Sequence, residues 1–207
     1  MNRLSAIFLT TAVIFLSCKD QKSAAQTGED KNSIIKMVNQ YSDAFRNKDW
    51  ALVTEMIHPE IFKYESRKNF EKALDEGLKE EGYIININGS RIDSVYPSME
   101  FKGDKFALVK MTATISMMPS DDPKNVNGTD NRMPDNFCEL LKELDDKYST
   151  LTSCKLIGRG VEYNMTDLSF VVFLKQKNRW YFLSKDEESE KIVNKIIPGE
   201  VRRHFRY

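Results

Sequence analysis

This 207-residue chain has no surplus of either charge: 31 Lys and Arg balance 31 Asp and Glu. A protein that grips nucleic acid through its phosphates carries a basic excess, so no nucleic-acid partner is expected. Arg202, Arg203 and Arg206 cluster near the end, but the cluster is short and reads as a solvated terminus. Histidine and cysteine are scarce, with two and three copies. His58 and His204 lie far apart and the cysteines lack zinc spacing, so neither metal nor cofactor is expected. Serine nucleophile elbows and phosphate-cradling glycine loops are missing. The longest apolar run, residues 6–16 (AIFLTTAVIFL), is too short to span a bilayer as a mature helix.

What is present is 41% hydrophobic and 30% charged residues, enough apolar side chain for the core of one domain. Arg3 precedes the apolar run, and Ser17 then Cys18 follow it. This order resembles the lipobox of bacterial lipoprotein signal peptides, although Phe15 and Leu16 depart from its usual leucine and small residue. The resemblance implies that residues 1–17 are removed and that the Cys18 thiol takes a diacylglycerol group. A polar stretch without aromatics follows, and 18–32 reads as a disordered tether. The partner so implied is a membrane, reached through lipid rather than a spanning helix. The location implied is the bacterial cell envelope, on the outer membrane, because Lys19 is not the aspartate that marks inner-membrane retention. A secretory peptide cut elsewhere and a retained anchor are the alternatives. In the oxidising space outside the cytoplasm, Cys138 and Cys154 are expected to pair; two buried free thiols are the other reading. Three Asn-X-Ser/Thr sequons, at Asn88, Asn127 and Asn164, read as chance in that setting.

Residues 33–64 organise the rest. Asn32 or Ser33 fits an N-cap, and Ile34, Ile35, Val38, Tyr41, Ala44 and Phe45 recur at the helical period. Asp49 can cap a second helix with Trp50, Val53, Met56 and Ile57 inward, and Pro59 ends it. Residues 61–64 alternate and predict a short strand. Ser66 then caps a third helix running to Glu81, with Phe70, Ala73, Leu74 and Leu78 inward and Gly82 as its stop. From Tyr83 the period changes to two. Strands are expected over 83–87, 92–96, 99–102 and 105–117, the last two joined at Gly103-Asp104. A polar loop over 119–134 leads to a fourth helix over 136–148, with Asn136 and Glu139 as a capping box and Phe137, Leu140, Leu141, Leu144 and Tyr148 on its apolar side. A strand over 150–157 follows, and 118–157 reads as an insertion. Strands over 168–175 and 179–184 form an aromatic hairpin. A short helix to Ile197 stops at Pro198-Gly199.

Helix, break, helix, third helix and a bent meander closing in an aromatic hairpin resemble the nuclear transport factor 2-like superfamily. That superfamily includes ketosteroid isomerases, scytalone dehydratase and polyketide cyclases. The residues that carry the resemblance are 34–59, with Asn47-Lys48-Asp49-Trp50 and Met56-Ile57-His58-Pro59-Glu60, and the closing Asn178-Arg179-Trp180-Tyr181-Phe182. It implies an α+β fold over 33–207: a curved, mixed, mostly antiparallel sheet wrapped around the N-terminal helices, a cystatin-like cone open at one end. Many members form homodimers through the outer face of the sheet.

The resemblance also implies roles. By position, Tyr41 would be an oxyanion donor and Glu65 a proton-shuttling base. Tyr96, Phe106, Tyr163, Phe173, Trp180 and Phe182 are candidates to line an apolar pocket, with core packing as the alternative. His58 reads as a capping residue and His204 as part of the tail. With no full acid–base constellation, the expected function is a non-catalytic envelope lipoprotein that binds a small apolar ligand or an envelope protein. An isomerase- or dehydratase-type enzyme using Tyr41 and Glu65 is the alternative, and a dimeric scaffold is a third reading.

Overall fold

The computed structural model describes residues 28–78, 83–120, 133–143, 149–183 and 190–206. Cys18, the signal and most of the tether, the Gly82 stop, Asn127, Leu144 and Tyr148 lie outside the described residues. The architecture is α+β, with several helices packed on a six-stranded antiparallel sheet.

Helix α1 spans Gly28–Arg46 and buries Ile34, Met37, Val38 and Ala44. It starts before the expected Asn32 or Ser33, so residues 28–32 are helix rather than tether. Glu29 and Asp30 in its first turn favour that start by opposing the helix dipole. Lys48, at φ 57°, breaks the helix in the left-handed region. Asp49 then caps α2 (Trp50–Met56) by accepting the Leu52 amide at 3.1 Å. The strand expected over 61–64 is instead a 3-10 helix, Pro59–Lys63. Proline at its first position presets φ, and His58 Nδ1 accepts the Glu60 amide at 3.3 Å, so the chain turns rather than extends. Ile57 reaches the sheet in an isolated parallel bridge to Phe182.

Helix α3 (Arg67–Gly77) starts at the expected Ser66 cap but buries no residue fully, and Ala73 is exposed. Polar contacts tie it to α2: Arg67 donates to the Thr54 carbonyl at 2.6 Å, Thr54 Oγ1 to Glu71 at 3.0 Å, and Trp50 Nε1 to Asp75 at 3.3 Å.

Strand β1 (Tyr83–Val95) is continuous where two strands were expected. Register shifts between Ile87 and Gly89 and between Ile92 and Ser94 absorb the breaks in alternation as bulges. The turn after β2 (Met99–Phe101) puts Lys102 and Gly103 at positive φ and leads into β3 (Asp104–Pro119). The fourth helix, α4, is Phe137–Lys142. Asn136 makes no side-chain cap bond, so the expected capping box does not form, and Leu140 is exposed. Strand β4 is Ser149–Ile157 and pairs with β5 in the main sheet. Strand β5, Gly160–Leu174, begins before the expected residue 168. Gly160 lets it start there: a Cβ would strike Met118 Sδ and lie 2.5 Å from the Met117 carbonyl oxygen. Strand β6 (Arg179–Leu183) completes the aromatic hairpin. The terminal segment forms two short helices, α5 (Glu190–Ile196) and α6 (Gly199–His204), because the chain resumes helix after Pro198.

The long strands β3 and β5 form the centre, in register from Lys105↔Phe173 to Met117↔Val161. Each outer edge is shared by two strands, β2 and β1 on β3 and β6 and β4 on β5. At one end both sheet faces are covered. Phe170 meets Phe205 beyond α6 on one face, and Phe182, partnered with Val171, meets Tyr41 of α1 on the other. Consecutive residues Phe106 to Val109 and Phe170 to Val172 are therefore all buried. The other end holds a second cluster, Met133, Leu141, Val161 and Tyr163. A Cys138–Cys154 disulfide, with Cα atoms 5.6 Å apart, joins α4 to β4 beside it. Opposite that cluster the sheet face is polar: Thr112 bonds Asp93 and Thr166, Thr114 donates to Asn164, and Asn164 donates to Ser153.

Candidate functional site

Four turns converge on a cleft of ≈ 730 Å³: the 3-10 helix, the β2–β3 turn, the β5–β6 turn and the α5–α6 junction. Its floor is apolar, formed by Phe101, Phe106, Val172, Leu174 and Ile196. Its rim is charged, with Lys102, Lys177 and Lys195 among Glu60, Asp104 and Glu200. An apolar base beneath polar groups at the mouth can seat a small ligand, and here the polar groups are numerous.

His58 forms one wall and is only 3% exposed. Its Nδ1 accepts the Glu60 amide, so the ring proton resides on Nε2. Its own amide donates to the Phe182 carbonyl at 3.0 Å, which fixes the turn to the sheet. Burial pushes its pKa down to about 4, against the opposing pull of the Glu60 and Asp104 carboxylates. At neutral pH the ring is therefore uncharged and acts as a hydrogen-bond donor rather than a cation.

Tyr41 lies elsewhere, on α1, with its ring stacked 4.2 Å from that of Phe182. Burial first, and the Asp167 carboxylate second, raise its phenol well above the ordinary value. Fully buried Ser169 donates its hydroxyl hydrogen to Asp167 Oδ2. Glu65 is exposed, and its Oε1 accepts the Ser66 amide at 3.0 Å. Neither Tyr41 nor Glu65 lines any of the three clefts described in this section.

The aromatic candidates are dispersed. Phe106 lies under the His58 cleft. Phe173 and Trp180 line a second cleft of ≈ 730 Å³ beside α1, where Lys105 Nζ meets both Asp30 oxygens at 2.8 Å. Tyr96, 41% exposed, borders a third of ≈ 450 Å³ with Leu168, His204 and Phe205. Tyr163 is buried in the second cluster and Phe182 under Tyr41. Among the described residues no group of three or more His, Cys, Asp or Glu is placed to hold a metal, and no helix is long and apolar enough to cross a membrane.

Sequence reasoning missed the lysine rim and Asp167. Lys102, Lys177 and Lys195 come from three separate turns, so no spacing rule links them. Asp167 shares a sheet face with Val171, whose strand partner Phe182 stacks on Tyr41, and the expected strand began only at residue 168.

No family model matches this chain, and no curated protein is similar to it.

Proposed function

We propose that this chain is a lipid-anchored, non-catalytic binding domain of the bacterial cell envelope, and that its ligand enters the cleft beside His58. The observation that carries this reading is the cleft itself, with an apolar floor, a charged mouth and an uncharged histidine donor on one wall. The accompanying fold reading is a cystatin-like cone of the nuclear transport factor 2-like type. The packing of α1 on β1 and β6 and the Ile57–Phe182 bridge support it. The anchor reading rests on the sequence around Cys18. Mass spectrometry of the protein from bacterial membranes tests it: a diacylglyceryl thioether on residue 18 is expected, and an unmodified thiol there would sink it. For the cleft, perturbation of His58 ring signals by a bound ligand is the test, and no perturbation by any amphiphile would end that part.

The enzyme reading is favoured by one observation, the raised Tyr41 phenol near the Asp167 carboxylate. In that reading Asp167 rather than exposed Glu65 is Tyr41's acidic partner. Isomerase or dehydratase turnover that is unchanged in Tyr41→Phe and Asp167→Asn would eliminate it.

A further inference from the structure

The charges around the His58 cleft are not equally occupied. Each carboxylate at the mouth already has a partner. Glu60 pairs with Lys63 at 2.7 Å, Glu200 with Arg203 at 3.8 Å, and Asp104 accepts the Lys175 amide at 2.9 Å. Among the described residues the rim lysines pair with no carboxylate. Lys102 rests over the Phe101 ring at 5.3 Å and Lys195 over the Tyr64 ring at 5.1 Å, leaving their charges open to an incoming group. Lys63 and Arg203, the partners of two of the acids, lie just outside the lining. Together with the rim lysines they set five cations against three carboxylates around the mouth. Arg202 adds to this side. Its Nε is a buried donor without a partner among the described residues, and its Nη2 would lie 3.8 Å from a Cβ on the cleft-lining Gly199.

Beside this rim the same cleft is lined by apolar Phe101, Phe106 and Leu174. A ligand that satisfies both layers has an alkyl chain and one anionic head. The chain displaces water from the aromatic floor, and the head meets the lysines and the Nε2–H of His58. Resting on the cleft reading above, we infer that the site takes an anionic amphiphile, meaning an alkyl chain ending in a carboxylate or phosphate. A fully apolar molecule would leave the lysine rim unused, and a cationic one would meet repulsion.

The chain has two histidines, which supplies a site-specific readout. His58 lines this cleft and His204 borders the third one, so ring signals of the full-length protein separate the two locations. Titrate with octanoate, decanoate and dodecanoate below their micelle concentrations, then with lysophosphatidylglycerol, decanol and decyltrimethylammonium. Saturable shifts of His58 and not His204 are expected for the alkyl anions. Affinity should rise about tenfold for each two added methylenes. Replacing the three lysines together (Lys102→Gln, Lys177→Gln, Lys195→Gln) should weaken decanoate about tenfold and leave decanol unchanged. All three are exposed, so the fold is not at risk. Binding of free carboxylates alone points to a fatty-acid source, and binding of the lysolipid alone to a membrane lipid; either supports the inference. If decanol or the trimethylammonium compound binds at His58 as tightly as decanoate, the cleft reading stands and the anion assignment falls. If no compound moves His58, both fall.

Discussion

The hydroxyls of Thr112 and Thr166 lie 2.8 Å apart, and a third residue decides which one donates. Thr112 sends its single proton to Asp93 Oδ2 at 2.6 Å, so Thr166 must be the donor to Thr112. Both threonines are buried, at 2% and 8% exposure. Thr112→Val should therefore do two things at once. It strands the Thr166 donor, and it removes the main contact that holds the Asp93 carboxyl below its ordinary pKa. A loss of about 1–3 kcal/mol by urea unfolding is expected, with the Asp93 carboxyl moving up in an NMR titration. Thr166→Val keeps the Thr112–Asp93 bond and should cost less, with little change at Asp93.

His58 gives a pH signature. Its folded pKa of about 4 lies below the usual 6.5, so between those values the unfolded chain binds a proton that the folded chain does not. Stability should then be level above pH 6.5 and fall as the pH drops from 6.5 to 4, by at most about 3 kcal/mol. His58→Asn keeps a capping acceptor but cannot titrate. Unfolding midpoints from pH 4 to 7 should lose that part of the slope in the variant.

Tyr41 separates packing from chemistry. Tyr41→Phe keeps the stack on Phe182 and should change stability by less than about 1 kcal/mol. Tyr41→Ala empties the space beside Phe182 and should cost about 3–5 kcal/mol. In an ultraviolet titration of phenolate formation, the difference between wild type and Tyr41→Phe should be one group ionising above the ordinary tyrosine range, because burial raises it.

Gly160 and Gly89 make a matched pair. A methyl at Gly160 collides with Met118 and the Met117 carbonyl, while one at Gly89 meets nothing within 4 Å. Gly160→Ala should lose about 1–3 kcal/mol, and Gly89→Ala should be near neutral or slightly stabilising.

The disulfide should act locally. Removing it as Cys138→Ala with Cys154→Ala opens a loop with a sequence separation of 16 and should cost about 3 kcal/mol. Faster amide exchange should concentrate in α4, β4 and the segment around Tyr163. The Phe182 side of the sheet should keep its protection.

Local signals were legible in the sequence. The Asp49 and Ser66 caps, the turn at Gly103 and the aromatic hairpin each depend on a few adjacent residues, and each was readable. So was the Cys138–Cys154 pair, because only two cysteines remained once Cys18 was set aside. Features that depend on distant partners were not. Residues 61–64 alternate like a strand, yet the proline and histidine before them wind the turn. The start of β5 does carry a strand period, Val161, Tyr163 and Met165 toward the second cluster against Glu162, Asn164 and Thr166 on the open side, but it follows the glycine turn that closes what read as an insertion, so the strand was begun too late. The cleft is assembled from turns far apart in the chain, so composition carried no trace of its lysine rim.

Phe182 is met by the Tyr41 ring, by Ile57 and by the amide of His58, so one late residue closes three early ones. Synthesis runs in the opposite order. A nascent chain leaves the ribosome with its first two helices made and the strand that covers them still untranslated. The stripe of Ile34, Val38 and Met56 then has no lasting shelter, and the long sequence separation of its contacts slows closure. Such a chain stays threadable through a narrow pore until its last quarter has followed, and it locks only when the hairpin of β5 and β6 arrives.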